Sequence, residues 1–462
     1  MAENPNIIIQ TSPGTWNKTN GLNVFTLVNT ESGSNVRYVL QVYTADLATQ
    51  LADLRVDANP NEVVHVDIEN ILQAYTVINT QTETNSTFFM NSQLENFEYS
   101  VKVGWEGALG AVNITSTGGP YRVVNGRKPF HDELWDIEPY AAEYSYLGGL
   151  PNPVTQPALL LTDWTYAEPK PSVTDGRPTE YVSSVYNKSY RQRVRETDQF
   201  TLAFINYTEL FVPGPTQYPQ IGEAYIESFN GGTQVDNFSI NNLVVNGGGP
   251  DTTPCEGLDV EHPYNALTFR CGPADLSAYL SLGSITHYYV MFRPFEDYGS
   301  GCVATQPANH IYRFDIDDGE CNDFTPIQLS WLNSFGFRDY FTFQKRNTNR
   351  LSADRNEYYR LPGTWSGNTF SVTENEQGRK VFNQGVEETW TLRSRYLTDN
   401  EHDFLKNLFL APHVMYRQGD DTVWYSATIT SASFTEKTFR TDKMFQYEIE
   451  IKVSNNIQTA RG

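Results

Sequence analysis

Met444-Phe-Gln-Tyr-Glu-Ile-Glu-Ile-Lys-Val453 is the stretch that decides the fold class. Phe445, Tyr447, Ile449, Ile451 and Val453 alternate with Gln446, Glu448, Glu450 and Lys452. That period of two belongs to a strand with one buried and one wet face. The same reading holds upstream, where Val423, Tyr425, Ala427 and Ile429 alternate with Trp424, Ser426, Thr428 and Thr430. It holds again where Phe337, Asp339, Phe341 and Phe343 alternate with Arg338, Tyr340, Thr342 and Gln344. Asn35–Tyr43 and Glu98–Trp105 follow suit, so the chain is expected to be mainly β.

Helical patterning is sparse. Leu47, Leu51 and Leu54 sit at i, i+4 and i+7, which predicts a helix of about two turns. Thr398 and Glu401 form a T-x-x-E capping box. Phe404, Leu405, Leu408 and Phe409 follow on one face, and Pro412 ends the run. The expected architecture is therefore several β-sandwich-like domains with a small α+β C-terminal unit.

Pro- and Gly-rich breakers at 148–153, 169–171, 213–215 and 246–250 interrupt the strand pattern. They divide the chain into an N-terminal β-sandwich-like domain (1–125), a loop-rich β domain (126–250), a β domain (251–345) and an α+β domain (346–462). The length of 462 residues suits about three domains, at roughly 150 residues each.

Composition narrows the function. Aromatic residues make up 13% of the chain and charged residues only 19%, the reverse of a disordered sequence. The net charge of −22 opposes sequence-independent nucleic-acid binding, which needs clustered Lys and Arg. It also opposes docking on an anionic membrane. No run reaches the roughly 18 apolar residues of a membrane span. Met1-Ala-Glu-Asn-Pro5 carries no signal-peptide pattern, so synthesis in the cytoplasm is expected.

The four cysteines lie between Cys255 and Cys321 without a C-x-x-C pair. Reduced thiols, a disulfide formed after release from the cell, or a zinc site are all open readings. The sequence contains no P-loop, G-x-S-x-G or H-E-x-x-H motif. The seven His are scattered, and no catalytic residue or cofactor site is expected.

Asp315, Asp317, Asp318 and Glu320 are candidate Ca²⁺ ligands, with Gly319 allowing the chain to turn around the ion. A plain Asp-Asp-Gly turn after a strand at His310–Phe314 accounts for the same residues. Arg191, Arg193 and Arg195 would form a basic row on one strand face. That row would be solvated, would meet acids on another subunit, or would bind phosphate. The aromatic surplus likewise suits core packing, subunit interfaces or sugar stacking.

Three stretches carry a resemblance to a known family. One comprises Pro5–Ile9, Asn23–Phe25 and Arg37–Tyr43. The second is Trp331–Phe343, and the third runs from Ser394 to Leu410 into the closing strands. Together they resemble virion structural proteins of tailed bacteriophages, especially tail and neck ring-type proteins of phages infecting Bacteroidetes, the crAss-like phages among them. The resemblance implies assembly rather than catalysis: a homo-oligomeric ring contacting other tail or neck proteins, resident in the virion after synthesis in the host cytoplasm. A receptor- or carbohydrate-binding protein of the tail tip is the alternative. The interface residues expected on this reading are Arg191, Arg193 and Arg195 in the basic row, with Trp331, Phe337 and Tyr340 in the aromatic strand.

Overall fold

The computed structural model describes residues 5–13, 16–21, 23–31, 36–59, 61–76, 88–91, 96–107, 110–127, 159–160, 162, 167–168, 189–205, 220–241, 266–297, 302–304, 311–317, 324–359, 361, 363–372, 378–397, 399–419, 421–430, 446–454 and 457–458. The chain is mainly β, with several sheets and two α-helices among these residues. It forms two compact units. One comprises Met1–Asp318 and Leu332–Asp339, the other Gly319–Trp331 and Tyr340–Gly462.

The first unit opens with a β-sandwich. A three-stranded antiparallel sheet is ordered Ile7–Thr11, Val24–Asn29, Val63–Asp67. A five-stranded sheet is ordered Trp16–Asn20, Val112–Arg127, Asn96–Glu106, Arg37–Thr44, Gln50–Asp57. Period-two alternation places Phe25, Leu27, Val64 and Val66 of the smaller sheet in one core with Tyr38, Leu40, Val42, Tyr99, Val101 and Val103 of the larger. Asn23 ties down the entry to the second strand, its Nδ2 donating to the carbonyls of Lys18, Thr19 and Gly21 at 3.0, 3.1 and 3.4 Å.

The Leu47–Leu54 helix is corrected to a turn and a strand. Asp46 and Thr44 close the turn: the amide of Ala48 donates to Asp46 Oδ1 at 3.0 Å, and the amide of Thr49 to Thr44 Oγ1 at 3.1 Å. Leu47 takes φ 61°, and Gln50–Asp57 then pairs antiparallel with Arg37–Thr44. Local side-chain-to-backbone bonds here outcompete a helical stripe of three leucines. A helix forms instead at Glu69–Tyr75, where Ile68 and Leu72, one turn apart, are fully buried and the Glu69 amide donates to Asp67 Oδ1 at 3.0 Å.

Two further sheets complete this unit. The four-stranded one is ordered Leu159–Leu160, Thr201–Ile205, Ala266–Arg270, Phe89–Asn91. The seven-stranded one is ordered Ala167–Glu168, Ser189–Val194, Ile311–Ile316, His287–Asp297, Gln220–Asn230, Thr233–Asn241, with Cys302–Ala304 beside His287–Asp297. Phe204 and Phe269 of the four-stranded sheet meet Phe292 of the other, at centroid distances of 4.5 and 5.7 Å. Both sheets draw strands from distant parts of the chain, as the pairing of Phe89–Asn91 with Ala266–Arg270 illustrates.

The second unit is the α+β part. Its eight-stranded sheet is ordered Arg338–Phe343, Ile327–Leu332, Val414–Gln418, Tyr425–Ile429, Glu448–Val453, Arg379–Arg393, Thr348–Tyr359, with Ile457–Gln458 alongside Arg379–Arg393. Ile449, Ile451 and Val453 are buried and Glu448 and Glu450 exposed, as their alternation requires. At the upstream strand the pattern slips, because Trp424 is buried and Val423 exposed. The Trp424 ring packs edge-on to Tyr340 at 5.8 Å, a larger apolar burial than valine offers.

The helix Asp399–Leu410 stops before Pro412 and buries Phe404, Leu405 and Leu408. Thr398 of the capping box lies outside the described residues, while Glu401 Oε1 accepts from Arg395 Nη2 at 2.5 Å.

Candidate assembly surface

The longest hairpin of the second unit joins Thr348–Tyr359 to Arg379–Arg393. The antiparallel register runs from Thr348 opposite Thr391 to Tyr359 opposite Arg379, with an irregularity at Asn356/Glu357. Its root is anchored where Thr389–Arg393 pairs with Glu448–Lys452 and Leu392 is fully buried. From there the Thr348–Tyr359 strand extends about 40 Å.

Every residue of that strand is exposed. The cause is local: Arg350, Ser352, Asp354 and Asn356 share one face, and Leu351, Ala353, Arg355 and Glu357 the other. Neither face is apolar enough to lie on a core, so the strand is held by backbone pairing and by polar side-chain contacts such as Asn349 Nδ2 donating to Glu388 Oε1 at 2.6 Å.

Between these strands lies a short pair, Thr364–Ser366 with Thr369–Ser371, turning at Gly367 (φ 62°). Gly363 takes φ 138°, and a Cβ there would lie 2.5 Å from the Phe370 ring. Trp365 packs on Phe370 with centroids 5.0 Å apart, yet keeps most of its surface open. Leu351, Tyr359, Leu361, Trp365 and Val372 are each between 63 and 80% exposed. So many exposed large apolar side chains in one hairpin make it the candidate interaction surface.

Some of the hairpin's charges are settled within the chain. Arg379 pairs with Glu357 and lies over the Tyr359 ring at 5.6 Å, and Lys452 reaches Glu387 at 2.9 Å.

The residues picked out in the sequence are dispersed. Trp331, Phe337 and Tyr340 are 0, 2 and 1% exposed. Trp331 packs against Phe404 at 5.1 Å, and Tyr340 against Trp424. These side chains serve the chain's own packing and present almost no surface to a neighbour.

The basic row does lie on a strand, Ser189–Val194, running parallel to Ile311–Ile316. Gln192 and Val194 are buried, Arg193 is exposed and Arg195 half-buried, and nothing is described for the Arg191 side chain. Arg193 stands opposite Asp315 in the register.

Of the candidate cation ligands, Asp318 and Glu320 lie outside the described residues. Asp315 falls within the strand rather than after it, and its Oδ1 accepts from Arg313 Nε at 2.8 Å. The Asp317 amide donates to Val194 O at 2.8 Å. Among the described residues no three His, Cys, Asp or Glu side chains gather as a metal group. Cys271 is a buried reduced thiol; Cys255 and Cys321 lie outside the described residues. Among the described residues no helix is long and apolar enough to cross a membrane.

The hairpin itself is absent from the sequence-based candidates. Its signal was an uninterrupted stretch without apolar alternation, ending in the closely spaced Gly363 and Gly367.

No protein-family model matches the chain. No curated protein matches it either. A solved structure described as a tetra-tandem repeat in the extending region of a large adhesion protein aligns with 92% of this chain and 75% of its own, at 7% identity and a TM-score of 0.20. A superposition this poor carries no argument about fold or function.

Proposed function

We propose that this chain is a structural component of a tailed-phage virion, forming a homo-oligomeric ring in the tail or neck through which the genome passes. The observation that carries this reading is the exposed hairpin, whose apolar side chains call for cover by another protein surface. The resemblance of Pro5–Ile9, Asn23–Phe25 and Arg37–Tyr43, of Trp331–Phe343 and of Ser394–Leu410 to tail and neck proteins supplies the virion setting. Many copies around one axis turn modest contacts into a stable ring. The partners on this reading are further copies of the chain and adjoining tail or neck proteins. Its role is mechanical, without a catalytic centre or cofactor.

The test is copy number in purified virions, by quantitative mass spectrometry against the portal and major capsid proteins. A count equal to the portal, or a simple multiple or fraction of it, is expected. Absence from the particle would overturn the reading.

Trp365 favours one alternative, a receptor- or carbohydrate-binding role at the tail tip, because an exposed indole beside Phe370 is a stacking platform for a sugar ring. That role predicts glycan binding by the isolated chain, abolished in Trp365→Ala. Equal glycan retention by both proteins excludes it.

A further inference from the structure

The Thr348–Tyr359 strand ends its sheet, so among the described residues no strand pairs along its outer edge. The Thr348–Asn356 part of this edge, with N–H and C=O groups that meet no outer strand among the described residues, is a template for another strand. Three charges on it, Arg350, Asp354 and Arg355, also lack an ion pair among the described residues. Arg350 stands opposite Thr389, and Asp354 opposite Gly385. Both belong to the same face of the strand.

We propose that the free chain forms a two-fold dimer by antiparallel pairing of this edge with the same edge of a second copy, centred on Ser352. This goes beyond the virion reading and does not depend on it. The geometry restricts the choice. Outward-pointing backbone groups recur every second residue, so two identical edges pair residues of equal parity, and one residue faces its own copy.

Centring on Asp354 sets Asp against Asp, and centring on Arg355 sets Arg against Arg. Centring on Ala353 opposes Leu351 to Arg355 and forms no ion pair. Centring on Asn356 opposes Arg355 to Glu357, a group already held by Arg379, and overlaps only Ala353–Tyr359.

Centring on Ser352 overlaps Thr348–Asn356. It places Arg350 opposite Asp354 of the second copy twice, Leu351 opposite Ala353, and Asn349 opposite Arg355, with no like charges face to face. Such a dimer covers the edge while the chain is free, and a two-fold contact cannot by itself close a ring.

The test uses the full chain. Sedimentation is expected to show a concentration-dependent dimer. Arg350→Asp and Asp354→Arg should each weaken it about tenfold or more, since two attractive cross-strand pairs become repulsive. The double variant should restore it. Oxidised Ser352→Cys should cross-link between chains, because a residue facing its own copy across an antiparallel pair has Cα atoms about 4.5 to 5.5 Å apart, within disulfide reach. Asn356→Cys and the parent protein should not.

A chain that stays monomeric would overturn the proposal. So would a dimer indifferent to both single reversals, or one cross-linked equally through Asn356→Cys. Copy number in virions bears on the virion reading alone, so the two failures are distinguishable.

Discussion

Arg395 and Glu401 show what a single side chain does in this fold. They form an ion pair at 2.5 Å with side chains 9 and 8% accessible, the guanidinium lying 5.2 Å from the centre of the Phe341 ring. Glu401→Ala would leave Arg395 buried without its carboxylate, and the expected loss is about 3–5 kcal/mol. Glu401→Gln keeps an acceptor and should lose less; urea unfolding separates the two. Asp275 gives a pH-dependent counterpart. Burial raises its carboxyl above the ordinary value even though Arg270 Nη2 lies 2.5 Å away and the Phe200 amide donates to it. A raised folded value means that the proton is held more tightly in the folded state. This group's contribution is therefore full below the ordinary Asp range near pH 4 and falls as pH rises through the folded value. The stability of the wild type relative to Asp275→Asn should be greatest in acid and decline with rising pH, measured by denaturation across that range.

At the scale of elements, the segment Leu332–Asp339 is held by backbone contacts that leave no room for a side chain. The Arg127 amide donates to Ser334 O at 2.7 Å. Gly336 takes φ 84°, and a Cβ there would lie 2.3 Å from Asn125 O. Gly336→Ala therefore meets both a left-handed backbone and a collision, and should destabilise the fold by more than about 1 kcal/mol in thermal or chemical unfolding. The exposed hairpin predicts the opposite behaviour. Leu351→Ser and Trp365→Ser change side chains that are mostly exposed, so stability should change by no more than about 0.5 kcal/mol. On the assembly reading, these variants should nonetheless be incorporated poorly into particles, scored by mass spectrometry of virions. Normal incorporation would remove the hairpin from the contact surface.

For the whole molecule, the excess of 55 acidic over 33 basic residues dominates long-range behaviour. Copies carrying −22 repel one another, and the repulsion weakens as carboxylates take up protons near pH 4 or as salt shortens the screening length to about 10 Å at 0.1 M. Association of the full chain should therefore increase on mild acidification, followed as a rising sedimentation coefficient. A coefficient that falls instead would mean that attractive carboxylate pairs govern the contact.

The fold class was legible in the sequence because strand alternation is a local property. Ile449, Ile451 and Val453 turn inward for the reason visible on paper, and the helix before Pro412 carries its stop signal in the chain. The stripe Leu47-Leu51-Leu54 misled because hydrogen bonds from the Ala48 and Thr49 amides to Asp46 and Thr44 fix a turn, a competition that periodicity does not register. Burial on both faces of Arg338–Phe343 was equally invisible: alternation marks a strand, but not whether its polar face is covered as well. That is why Trp331, Phe337 and Tyr340 read as surface candidates while the exposed hairpin passed unnoticed. The sequence by itself determined a mainly β chain with a helix near its C-terminal end and a strongly acidic character. Only the tertiary structure decided which strands meet and which aromatic residues stay open to solvent. The reason is that β pairing joins residues far apart in the chain, and exposure depends on what those partners cover.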